Sequence, residues 1–137
     1  MRLRTLLSVF AIASGVVCAE FFIQPGFWIT LYGASADMQA KFLFRLLAAL
    51  FGGMAVMAWS GRTSEPSPAR RAMIRGLISA NALIGVLAIS AAVTGVYNAF
   101  AWAPAVSFLW FAAALFRADS SERRSSLTRR TALASRF

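Results

Sequence analysis

Residues 72–94 read AMIRGLISANALIGVLAISAAVT, and Arg75 is their single charge. About 20 predominantly apolar residues suffice to cross the hydrocarbon of a bilayer as a helix. Three more stretches of this kind lie around it, at about residues 5–23, 40–60 and 99–116. Lipid offers backbone N–H and C=O groups no partner, so each stretch is expected to be a continuous helix. The fold class that follows is all-α: an antiparallel bundle of four transmembrane helices within residues 1–116. Residues 117–137 then read as a basic, flexible cytoplasmic tail.

Composition agrees. Of 137 residues, 59% are hydrophobic and 14% charged, and the mean hydropathy is +0.66. Soluble domains carry about a quarter charged residues. Histidine is absent, which excludes imidazole general bases and imidazole ligands to metals or haem. The single cysteine, Cys18, excludes an intrachain disulfide and a CxxC redox pair. Five carboxylates, widely scattered, are too few for paired acid–base work or a calcium site. No phosphate-binding glycine motif occurs. The expectation is a protein that is not an enzyme, with no catalytic residue, no metal and no cofactor.

A net charge of +9 would suggest nucleic acid in a soluble protein. Here the arginines lie between and after the apolar stretches, as membrane orientation requires, so no nucleic-acid partner is expected. Arg2 and Arg4 precede the first span, and Arg62, Arg70, Arg71 and Arg75 lie in or beside the second connection. Arg117, Arg123, Arg124, Arg129, Arg130 and Arg136 follow the fourth span. The positive-inside rule then places both termini in the cytoplasm of a multi-pass inner-membrane protein. A competing reading takes residues 1–19 as a cleaved signal peptide ending in Val17-Cys18-Ala19, which would leave three spans.

Pro25-Gly26 is expected to end the first helix. Phe27, Trp28, Leu31 and Tyr32 then fall on one face of a short interfacial helix. Trp28, Tyr32, Tyr97 and Trp102 read as aromatics at the outer membrane interface. At the opposite level, Arg70, Arg71, Arg123, Arg124, Arg129 and Arg130 read as contacts to anionic lipid. Residues 117–137 have a net charge of +4, and docking to a partner is the alternative use of that segment.

Ionisable groups inside a span are functional candidates. Glu20 and Arg45 both lie roughly 5–8 Å below the outer surface at 1.5 Å rise per residue. They are expected to pair, with Glu20 as a substrate- or proton-binding group in the alternative. Asn81 completes this candidate polar site, by bonding another helix or lining a cavity. Small residues repeat at Ala11, Gly15 and Ala19, at Arg45, Ala49 and Gly53 with Ala48 and Gly52 beside them, and at Asn81, Gly85, Ala88 and Ala92. Such ladders let helix backbones approach closely.

Several landmarks together carry a family likeness. They are Tyr32-Gly33, Arg45 opening a span that contains Gly52-Gly53 and closes at Trp59, Arg70-Arg71, and Asn98-Ala99 with Trp102. Over about residues 19–116 the chain resembles a group of small bacterial four-span membrane proteins, uncharacterised in function and architecturally DoxX-like. The resemblance implies a four-helix bundle in a bacterial cytoplasmic membrane, without assigned catalytic residues. It does not extend to the basic tail. The function expected is that of a scaffold or accessory subunit, with a larger membrane-protein partner or a second copy. The alternative is a small transporter or binder of a lipophilic or cationic molecule through Glu20.

Overall fold

The structure, a computed structural model, describes residues 3–134; the side chains of residues 123 and 125–134 lie outside the description. It contains five α-helices and one 3-10 turn among these residues. They are α1 (Leu3–Ile23), α2 (Pro25–Leu31), α3 (Met38–Gly61), α4 (Pro68–Val93), the 3-10 turn (Ala99–Ala101) and α5 (Trp102–Ala134). Four segments are long and apolar enough to cross a membrane: Leu3–Ile23, Met38–Gly61, Pro68–Val93 and Ala99–Glu122. The all-helical four-span bundle expected from the sequence is therefore what the chain forms.

Local chemistry sets the boundaries. Pro25 stops α1 because the residue before a proline is pushed away from helical geometry, and Gln24 has φ −125° and ψ 50°. The same proline opens α2, where its missing N–H has no helical partner to lose. The Asp37 carboxylate accepts the Ala40 N–H at 2.7 Å and caps α3. The Ser67 hydroxyl accepts the Arg70 N–H at 3.1 Å, with Pro68 at the first position of α4. This Ser-Pro start brings α4 in earlier than residue 72, the start expected from hydropathy alone. Asn98 accepts the Phe100 N–H at 3.0 Å and opens the 3-10 turn.

The core is built from one stripe on each long helix. On α1 the stripe is Leu3, Leu6, Leu7, Phe10, Ala11 and Ser14, the spacing of a helix with one buried face. It meets Ala48, Phe51, Met54 and Ala58 of α3, Ile74 and Leu77 of α4, and Leu115 and Ala118 of α5. Phe10 meets Phe111 edge to face, with ring centroids 5.1 Å apart. Helix α1 packs mainly along α3, and α4 mainly along α5; α1–α5 and α3–α4 contacts join the two pairs. The outward faces remain apolar, as at Ile12, Val16, Leu50, Val56, Leu83 and Val106. A bundle that is apolar outside as well as inside is compatible with a multi-pass membrane protein.

The end of the last helix and the packing ladders differ from expectation. Helix α5 does not stop near Phe116: it continues unbroken to Ala134. Residues 117–134 are thus helical, and the boundary at 116/117 falls inside a helix. Packing carries the helix past residue 116, since Ala118 and Asp119 are both buried. The short helix expected after the first span is α2; Pro25, Ile29 and Tyr32 are buried, Trp28 and Leu31 half-buried, and Phe27 exposed. Of the two ladders on α3, Ala48 with Gly52 faces inward. A Cβ on Gly52 would lie 3.1 Å from the Cys18 sulfur, whereas one on Gly53 or Gly15 would meet nothing within 4 Å.

Candidate functional site

At the arginine-rich end, α3 ends, α4 begins and the C-terminal half of α5 passes beside them. Arg70 lies on the inner face of α4, its side chain 7% exposed. Its Nε donates to the Gly61 carbonyl at 3.1 Å, and its Nη1 donates to Glu122 Oε2 at 3.1 Å. One guanidinium thereby ties three helices together. The planar fork of arginine suits this task better than the point charge of lysine. Asp119, one turn before Glu122 on α5, is also buried and engaged. Next to the end of α3, the Arg62 guanidinium carbon lies 3.1 Å from the Trp59 ring centroid. Arg62 Nε is buried without an acceptor.

This geometry corrects the assignment of Arg70 to anionic lipid. Its charge is consumed inside the protein. Arg71 is exposed, and Arg124 is exposed with a partner of its own. The side chains of Arg123, Arg129 and Arg130 lie outside the described residues. Sequence reading missed Glu122, Asp119 and the Gly61 carbonyl. The available signal was two carboxylates spaced i, i+3 on a helix that nothing interrupts.

Midway along α4, Asn81 is fully buried. Its Nδ2 donates to the Leu77 carbonyl of its own helix at 2.7 Å, and its Oδ1 has no partner. The expected bond to another helix is not made. One turn later, a Cβ on Gly85 would lie 2.7 Å from Leu109 Cγ of α5, so this glycine sets the close approach of the two helices.

At the opposite end, Glu20 and Arg45 do not pair. Glu20 is half-buried on α1 and Arg45 is exposed on α3, and no salt bridge joins them. Asn81 lies on another helix and bonds its own turn, so the three candidates do not form one site. The aromatics do assemble. Phe21 packs against Trp28, Phe44 and Phe51, with centroid distances of 5.6, 5.1 and 6.0 Å. Tyr32 is buried against Tyr97 at 5.3 Å and Phe100 at 5.5 Å, while Trp102 is exposed. Asn98 ties this cluster to α2: its Nδ2 donates to the Leu31 carbonyl at 2.8 Å and its N–H to the Tyr32 carbonyl at 3.0 Å. Gly33 takes φ +81° directly beneath Asn98, a conformation and a closeness that suit glycine. Burial, and then the neighbouring Tyr97, push the Tyr32 hydroxyl above the usual tyrosine range.

Fold and site together define a four-span helical bundle, braced by arginine at one end and by aromatics at the other. Comparison with family models, with curated proteins and with solved structures finds no match for this chain.

Proposed function

We propose that the chain is a non-enzymatic scaffold or accessory subunit of a membrane complex, seated in a bacterial cytoplasmic membrane with both termini inside. The observation that carries this reading is the length of α5. Its 33 residues extend roughly 50 Å at 1.5 Å per residue, against about 30 Å of hydrocarbon. That leaves roughly 20 Å of helix in excess of one hydrocarbon thickness, and the C-terminal part of α5 includes Arg123, Arg124, Arg129 and Arg130 in its sequence. The Arg70–Glu122 bond ties α5 to the start of α4 at the base of this segment. A long helix extending past the membrane thickness is a form suited to docking against another protein.

A second reading is favoured by one observation: Glu20 is half-buried in a span without a salt bridge. An unpaired carboxylate at that depth suits a binder or transporter of a cationic, lipophilic molecule. Native mass spectrometry of the protein extracted gently from its own membrane separates the two. A stoichiometric larger protein, lost on truncation after Glu122, supports the accessory subunit. A lone chain or homodimer holding a small molecule that Glu20→Gln releases would replace that reading with the second.

A further inference from the structure

The outward face of α4 at the arginine-rich end carries Pro68, Arg71, Ala72 and Arg75, which line an open recess of about 390 Å³. These positions follow the i, i+3, i+4, i+7 spacing of one helical face, opposite the face that buries Arg70, Ile74 and Leu77. Both arginines are exposed, and neither side chain has a hydrogen bond or ion pair. Glu65 in the preceding loop pairs with neither, and Glu122 is bonded to Arg70. Two like charges one turn apart repel each other, so this face holds uncompensated charge.

Depth identifies what compensates it. Residues 76–93 carry no charge and extend roughly 27 Å, close to the thickness of the hydrocarbon core. Arg75 then lies at the edge of that core and Arg71 one turn further out, at the level of lipid headgroups. Proline and alanine between them leave the recess open to a group that the two guanidinium forks can grip. Guanidinium groups bind phosphate oxygens in pairs of parallel hydrogen bonds.

We propose that Arg71 and Arg75 form a binding site for the phosphate of an anionic phospholipid, floored by Pro68 and Ala72. Arg70, adjacent in sequence, is excluded because its charge is already spent on Glu122 and Gly61. The site rests on the membrane placement of the bundle and is independent of the accessory-subunit reading.

The test is native mass spectrometry of the full chain in a mild detergent, titrated with phosphatidylglycerol. Phosphatidylcholine and inorganic phosphate serve as comparison probes. One phosphatidylglycerol per chain is expected to be retained in preference to phosphatidylcholine, with no displacement by inorganic phosphate. Arg71→Gln with Arg75→Gln is expected to lower that retention about thirtyfold, at about fivefold per basic group. Arg4→Gln with Lys41→Gln removes the same charge at two other exposed positions and is expected to leave it unchanged. Should the glutamine pair fail to fold, Arg71→Lys with Arg75→Lys carries the test, with retention below that of the native chain. Unchanged retention in the Arg71/Arg75 variants overturns the site. Equal loss from both glutamine pairs assigns the effect to overall charge, and displacement by inorganic phosphate makes this a free-phosphate site; each refutes the proposal. A chain that stays dispersed without detergent would instead overturn the membrane placement itself.

Discussion

Gly85→Ala tests how tightly α4 and α5 are packed. A Cβ at residue 85 would lie 2.7 Å from Leu109 Cγ, 2.8 Å from its Cδ2 and 3.4 Å from its backbone N. Carbon atoms prefer 3.5–4.0 Å, so the helices or Leu109 must give by roughly 0.8 Å. Overpacking of this kind costs about 1–3 kcal/mol. Replacing a helical glycine with alanine returns about 0.5–1 kcal/mol, so the net effect runs from about zero to a loss of about 2.5 kcal/mol, against a net gain at residue 53. Gly53→Ala is the control, because a Cβ there meets nothing within 4 Å and the helix gain stands alone. Reversible unfolding in mixed detergent micelles, followed by fluorescence of the four tryptophans, reads both variants. Combining Gly85→Ala with Leu109→Ala adds a second check. The alanine at residue 85 should cost less once Leu109 is shortened, with a coupling of about 1–3 kcal/mol. A Gly85→Ala protein stabilised as much as Gly53→Ala, or showing no coupling to Leu109, would refute the close approach.

Arg70→Gln should destabilise the bundle by about 2–3 kcal/mol, because the Gly61 carbonyl loses a charged donor as Glu122 loses its partner. Glu122→Gln should cost about 1 kcal/mol, since its side chain is 46% exposed and water screens the pair. The same unfolding assay decides, and an equal or reversed order would show that the carboxylate dominates the contact. Tyr32 should ionise above the ordinary tyrosine value of 10.0. Because its folded value is raised, its contribution to stability is full below pH 10 and is lost as pH rises through the folded value. Ultraviolet titration of tyrosinate should show a late component that Tyr32→Phe removes; a native titration without that component would count against the buried hydroxyl.

The four spans were legible because length and apolarity alone specify a helix in lipid. Pro25 was legible as the end of α1 for a similar reason, since a proline ring acts locally. The inner start of α4 was missed by weighing hydropathy over capping: Ser67-Pro68 opens the helix although Arg70 and Arg71 depress its apolarity. The continuation of α5 was missed on composition. Apolarity falls after Phe116 and ends the hydropathy signal there, yet no glycine or proline follows Pro104 to end the helix.

The polar contacts show where counting along a chain loses its power. Counting residues gives depth, and Glu20 and Arg45 do lie at the same end of consecutive antiparallel helices. Whether two such groups meet depends on rotation about each helix axis, and each residue step turns the side chain by about 100°. Arg45 belongs to the 45/49/53 face, which the fold turns outward, while Ala48 and Phe51 take the inward positions. Arg70 differs because Ile74 and Leu77 share its stripe, so burying that apolar face draws the guanidinium inward too. It must then find acceptors, and the end of α3 and a point on α5 two turns beyond Leu115 supply them through Gly61 and Glu122. Arg71, one step on, is turned about 100° off that stripe and stays exposed. Adjacent arginines thus divide into a brace and a free cation, and the apolar stripe beneath them determines which is which.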